Sequence, residues 1–186
     1  MSNKKIKIID GEPFVKLLEQ KDIVIKINKL AERIDIDYAH SDPPILLIVL
    51  NGGIYFGTDL SKKLDRLGLR HQLDFVRLKR YGRDEEGGQV KILSGPGQDL
   101  AGKNVIVAED IVDDGQSMNF LNEHLKQFNP RSVEYCLFCL RKDHGPLSFK
   151  IKYLGFPDIG PGWLVGYGMD SNHYHRGLVD VYMKLT

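Results

Sequence analysis

The chain has 186 residues and a formal net charge of +1, room for one domain with a substantial core. That balance excludes a global basic field, and with it bulk electrostatic support for binding nucleic acid or a membrane surface. The basic start, Met1-Ser-Asn-Lys-Lys-Ile-Lys7, leads into no apolar signal region, and runs such as Ile45–Leu50 are too short to span a bilayer, so a soluble cytoplasmic protein is expected.

Helical periodicity appears first at Ile27, Leu30, Ala31 and Ile34, which follow the i, i+3, i+4, i+7 pattern. Pro43-Pro44 breaks the chain, and Ile45-Leu-Leu-Ile-Val-Leu50 reads as a strand buried on both faces. Asn51-Gly-Gly53 is a tight turn into a second helix over about Tyr55–Leu67, and Leu73–Lys79 is a further strand. The polar, glycine-rich stretch Tyr81–Gly88 has no periodicity and reads as a mobile loop.

Val105-Ile-Val-Ala108 is another buried strand, and Met118, Leu121, Leu125 and Phe128 form one apolar helix stripe. Asn129-Pro130 ends that helix before a strand over Val133–Leu140. This strand carries Cys136 and Cys139, the only cysteines. An odd offset places them on opposite faces, and no second Cys or His pair completes a zinc site, so they read as core residues. Strands alternating with helices predict an α/β domain with a mainly parallel sheet flanked by helices. From about residue 149 to 186 the texture becomes short strands punctuated by Gly and Pro, read as a small hood over the sheet edge within one domain, 1–186.

The chemistry concentrates after Val105–Ala108. Glu109, Asp110, Asp113 and Asp114 fall within six positions, followed by Gly115, Gln116 and Ser117 at a helix start. Ligands of open α/β sheets bind beyond the carboxyl ends of strands. Glycine-opened amides at a helix N-terminus cradle phosphate, and vicinal acids accept hydrogen bonds from a sugar diol. Carboxylates beside phosphate repel it, so a polyanion here calls for a divalent cation. Together these residues predict a site for a metal-bound sugar phosphate.

The segment Val105-Ile-Val-Ala-Glu-Asp-Ile-Val-Asp-Asp-Gly-Gln-Ser117 resembles the phosphoribosyl-pyrophosphate (PRPP) signature of type I phosphoribosyltransferases, most closely the hypoxanthine-guanine branch. The resemblance implies the type I fold and purine salvage: 5-phosphoribosyl passes from PRPP to hypoxanthine or guanine, giving IMP or GMP and pyrophosphate. It implies ribose hydroxyls on Glu109 and Asp110, Asp113 as general base at purine N7, and the 5′-phosphate on the amides of Asp113, Asp114, Gly115, Gln116 and Ser117. Leu50-Asn51-Gly52-Gly53 is similar to the family's pyrophosphate loop, a turn often carrying a non-proline cis peptide.

Leu140-Arg-Lys142 resembles the strand end whose lysine meets purine O6, which makes Lys142 the candidate. Trp163-Leu-Val-Gly-Tyr-Gly-Met-Asp-Ser-Asn-His-Tyr-His-Arg176 is similar to the C-terminal segment of the branch. There Trp163 would stack on the purine, Leu164 would meet its edge and Arg176 would face pyrophosphate. Mg2+ is the implied cofactor, near Glu109, Asp110 and Asp170, and Arg80 and Tyr81 open the implied lid. The histidines of His173-Tyr-His175 receive no catalytic role, since hard Mg2+ prefers oxygen donors. The family's usual association predicts a homo-dimer or homo-tetramer.

Three positions depart from the pattern. Arg80 stands where the family usually has serine, neutral Asn51 where a basic residue is common, and Asp114 where Thr or Ser is usual. The Asp114 carboxylate is expected to turn to solvent, because an ionised carboxylate beside phosphate is costly. Two rival readings are a catalytically weak paralogue and a PRPP-sensing regulator, the latter wanting an extra domain or a basic face.

Overall fold

The computed structural model describes residues 6–80 and 89–185. The chain order is β1 (Ile6–Ile9), β2 (Glu12–Leu18), α1 (Gln20–Tyr38), β3 (Ile45–Leu50), α2 (Ile54–Leu67), β4 (Gln72–Arg80), β5 (Val90–Ser94), β6 (Asn104–Val112), α3 (Gln116–Lys126), β7 (Ser132–Arg141), β8 (Ile151–Ile159), β9 (Leu164–Val165) and β10 (Val181–Lys184). The main sheet has the order β5-β4-β3-β6-β7-β8. Every neighbouring pair in it is parallel except β4–β5. The mainly parallel sheet expected from the alternating pattern is therefore present.

Alternation along the central strands divides the core in two. Leu46, Ile48, Ile106, Ala108, Cys136 and Phe138 face α1 and α2. Leu47, Val49, Val105, Val107 and Leu137 face the α3 residues Met118, Leu121 and Leu125. Burying each such aliphatic side chain is worth about 1.5–3 kcal/mol, and this sandwiching explains why β3 is apolar at every position. The α1 stripe Ile27, Leu30, Ala31 and Ile34 is buried as its spacing requires.

Three features differ from the sequence expectation. First, β6 continues through Glu109 and Asp110 to Val112, so the paired acids lie in the strand, not after it. Second, the hood is not confined to residues 149–186. β8 joins the main sheet, and the second sheet, β1-β2-β10-β9, combines both ends of the chain. Its pairing links Val15 with Met183, a contact that no local pattern encodes. Third, Cys136 and Cys139 lie in one core cluster, not on opposite faces. The adjacent residues Phe138 and Cys139 share that cluster, so strand alternation alone does not place them. Both thiols are buried and unpaired, and burial pushes their pKa values up.

The chain crosses from β3 through α2 to β4 on one side, then returns to β6 on the other side of β3. The order reverses between β3 and β6, which creates a crevice at their carboxyl ends. That crevice is where the acidic segment emerges.

Candidate active site

The first wall is the turn after β3. The Leu50–Asn51 peptide is cis, as that segment's resemblance implied. A Cβ on Gly52 would lie 2.1 Å from an Asp110 carboxylate oxygen, and one on Gly168 would lie 2.0 Å from the Gly52 carbonyl. Gly52 and Gly168 are therefore demanded by close approach: the turn is wedged between a β6 carboxylate and the hood.

The second wall is the end of β6 and the start of α3. Glu109 and Asp110 are both buried. The Glu109 carboxylate accepts the Asp110 amide at 2.9 Å, and Asp110 accepts the Ile111 amide at 2.8 Å. Burial, then the neighbouring Asp110 charge, raises the Glu109 pKa well above the ordinary carboxylate value. Asp110 reaches the cleft; Glu109 lies beneath it and lines neither cleft described below. Gly115 caps α3 with φ 82°, a left-handed conformation that opens the helix start to close approach. Gln116 and Ser117 form the first helical turn, whose amides have no intrahelical partner.

Asp113 is exposed and accepts a hydrogen bond from Arg141 Nε at 2.7 Å. The same guanidinium donates to the carbonyls of Gly160 and Gly162, so it ties the acidic loop to the approach to Trp163. Asp114 does not turn simply to solvent as expected. One carboxylate oxygen accepts the Gln116 amide at 3.0 Å, and the other pairs with Arg80. An ion pair offers the carboxylate a better partner than water alone at this half-buried position.

The hood supplies the third wall. Trp163 Nε1 donates to the Asp170 carbonyl at 2.7 Å, leaving the ring partly exposed. Arg176 bridges the Asp170 carboxylate at 2.7 Å and the Gly168 carbonyl at 2.6 Å. His175 hydrogen-bonds Asp10 at 2.8 Å, a contact between the hood and the β1–β2 turn.

Two adjoining clefts result. The first, about 450 Å³, is bordered by Asp113, Asp114, Arg141, Asp143 and Trp163, a volume suited to a small ligand. The second brings together Gly52, Asp110, Asp113, Trp163, Leu164, Asp170 and Arg176. Asn51 and Arg176 border a groove beside it with Tyr55 and Thr58. Gly53 is buried beneath the turn, and Tyr81 lies outside the described residues.

Lys142 is not brought to the site. It is exposed and lines neither cleft, whereas Arg141 lines both. Arg141 is the last residue of β7, and Lys142 already lies in the turn beyond it. A register shift between Cys139 and Arg141 precedes that strand end, and sequence spacing does not reveal it. Asp143, on the rim of the first cleft, was likewise not singled out by the sequence; its only signal was proximity to the strand end.

A mainly parallel sheet with a helix-start loop, vicinal acids and an aromatic wall at its switch point agrees with the phosphoribosyltransferase resemblance of the sequence. The family model for the phosphoribosyl transferase domain matches residues 15–172. The hypoxanthine-guanine phosphoribosyltransferase of Aquifex aeolicus is 30% identical over 179 residues, covering 96% of this chain and 98% of that protein. The human hypoxanthine-guanine phosphoribosyltransferase is 36% identical over 141 residues, covering 72% and 64% of the two chains. The structure of a Bacillus anthracis hypoxanthine-guanine phosphoribosyltransferase superimposes with a TM-score of 0.81 at 26% identity, covering 97% and 99%. The chain belongs to the phosphoribosyltransferase family.

Proposed function

We propose that this chain is a purine-salvage enzyme that transfers 5-phosphoribosyl from PRPP to hypoxanthine or guanine, forming IMP or GMP and pyrophosphate. The observation that carries this reading is the convergence of Asp110, Asp113, Trp163 and Arg176 on one cleft beside the Gly52 turn. The Asp113 to Ser117 loop receives the 5′-phosphate, Asp110 the ribose hydroxyls, and the Asn51–Gly53 turn with Arg176 the pyrophosphate. Trp163 stacks on the base, and Leu164 lies at its edge. Arg141, in place of Lys142, offers a cationic donor to the 6-oxo group. A donor there disfavours adenine, whose amino group cannot accept its hydrogen bond.

In this reading the C1′–O bond breaks ahead of attack by N9, and positive charge develops on the ribose. Asp113 takes the proton from N7 as N9 bonds to C1′. Arg141 holds that carboxylate in place for the transfer. Arg176 stabilises the charge that grows on the departing pyrophosphate.

The donor set suits Mg2+. Among the described residues no group of three or more His, Cys, Asp or Glu side chains is arranged to hold a metal. Mg2+ is commonly held by one or two carboxylates, with water and substrate phosphates completing its shell. Asp110 and Asp170 offer oxygen ligands at the cleft, with Glu109 behind them. When bound, the metal supplies neutralisation of pyrophosphate charge. Cytoplasmic location and assembly into a homo-dimer or homo-tetramer complete the proposal; the mass in solution, measured by light scattering, tests the assembly.

Initial rates with PRPP, Mg2+ and hypoxanthine, guanine, xanthine or adenine test the reaction. The expected result is nucleotide from a 6-oxopurine and little from adenine. No nucleotide from any base would favour a regulator or an inactive paralogue instead.

A further inference from the structure

Arg80 and Asp114, two of the three positions that depart from the family pattern, meet in the structure. β4 runs three residues beyond Arg77, the partner of Leu50 at the end of β3. β6 likewise outruns β3 on the other side. Arg80 and Asp114 therefore face each other across the end of β3, over the crevice, and form an ion pair.

The partners of Asp114 are those a phosphate recruits. One oxygen sits on a first-turn amide of α3, and the other on a guanidinium. The Asp114 side chain is 42% exposed, which leaves it room to swing away. Arg80 has capacity to spare: among the described residues its buried Nε has no hydrogen-bond partner. A guanidinium is a planar fork matched to two oxygens of one phosphate, and an unmet buried donor favours a ligand that meets it.

We propose that Arg80 is a 5′-phosphate-binding residue and that Asp114 is its internal counter-ion, a carboxylate standing in for the phosphate until substrate arrives. The proposal rests on the reading that the Asp113 to Ser117 loop holds the 5′-phosphate. On binding, the phosphate takes the Gln116 amide and the Arg80 fork, and Asp114 turns to solvent. No bond is made or broken; one anion exchanges for another. Residues that look like separate departures from the family pattern then form one compensated pair.

A double-mutant cycle tests this. Dissociation constants for PRPP with Mg2+ are measured by calorimetry for the intact chain, Arg80→Ser, Asp114→Thr and the combined variant, with pyrophosphate as a control. Arg80→Ser is expected to weaken PRPP about 10–100-fold, the range for losing a charged hydrogen bond. Asp114→Thr is expected to tighten PRPP several-fold, at roughly the scale of releasing a half-exposed ion pair. The loss from Arg80→Ser should be larger in the Asp114→Thr background, because Arg80 then gives up no ion pair to bind the phosphate. Pyrophosphate, which binds at the other subsite, should keep its affinity throughout.

Additive effects of the two substitutions, or an unchanged PRPP constant in Arg80→Ser, would overturn the proposal. So would equal losses for PRPP and pyrophosphate, which mark a general collapse of the site. An intact chain that binds pyrophosphate but not PRPP would instead fail the 5′-phosphate reading, before any variant is made, and the proposal with it.

Discussion

The cleft has two sides, and they are built differently. On the sheet side, Gly52, Asp110, Asp113 and Asp114 sit at the ends of two adjacent buried strands, so their positions follow from short stretches of chain. On the hood side, Trp163, Asp170 and Arg176 stand on irregular backbone. Tyr167, Asn172, His173 and His175 all have positive φ, and the β pairing within residues 166–176 amounts to two isolated bridges. That wall is held by contacts from afar, such as Lys184 donating to the Trp163 carbonyl and Asp10 meeting His175. The proposed roles divide with it: the regular scaffold carries Asp113 and the 5′-phosphate loop, and the long-range assembly carries Trp163 for the base and Arg176 for the pyrophosphate.

The largest effect should fall on the sheet side. Asp113→Asn should lower kcat by about 10²–10⁴-fold, the usual contribution of a general base, with little change in PRPP affinity. Initial-rate kinetics measure both, and unchanged turnover would remove Asp113 from that role. Arg141 bridges the sides, since it bonds Asp113 and the Gly160 and Gly162 carbonyls. Arg141→Ala should therefore reduce kcat and weaken purine binding together, by roughly 10–100-fold in kcat/KM. Lys142→Ala should leave both nearly unchanged, and the reverse ranking would return the base-facing role to Lys142.

On the hood side, Trp163→Ala should raise the purine KM roughly 10-fold, the scale of one lost aromatic–base stack, and spare the KM for PRPP. A large fall in kcat at saturating base would show that the two sides are not separable in this way. The smallest effect concerns stability. Glu109 has a raised pKa in the fold, so the native state holds its proton more tightly than the unfolded chain does. Its contribution is present at pH values below the ordinary Glu value and is lost as pH rises through the raised one. Glu109→Gln removes this loss. Its Tm advantage over the parent should grow from pH 5 to pH 8, reaching a few degrees for a gain of about 1 kcal/mol. A pH-independent difference in thermal melts would contradict the buried-charge account.

The same contrast explains what could be read from residues alone. The runs Ile45–Leu50 and Val105–Ala108 carry their burial in their composition, and the acids and Gly115 carry their chemistry in their order. Glu109 and Asp110 hid the true length of β6, because carboxylates inside a buried strand look like a loop. The choice between Arg141 and Lys142 depends on where β7 ends, which two adjacent cations do not disclose. The Arg80–Asp114 pair spans 34 positions, and the Val15–Met183 pairing joins the chain's two ends. Neither leaves a local periodicity to detect.

The pairing of β2 with β10 also sets an order of events. The strands of the main sheet have all emerged from the ribosome once β8 is made, before the hood residues that close over its strand-end turns. The Trp163 wall waits for β10, because Lys184 anchors its backbone and Leu164 pairs with Met183. Contacts of such long sequence separation close late in folding. The Trp163 wall is therefore the part of the cleft that depends on the last strand of the chain.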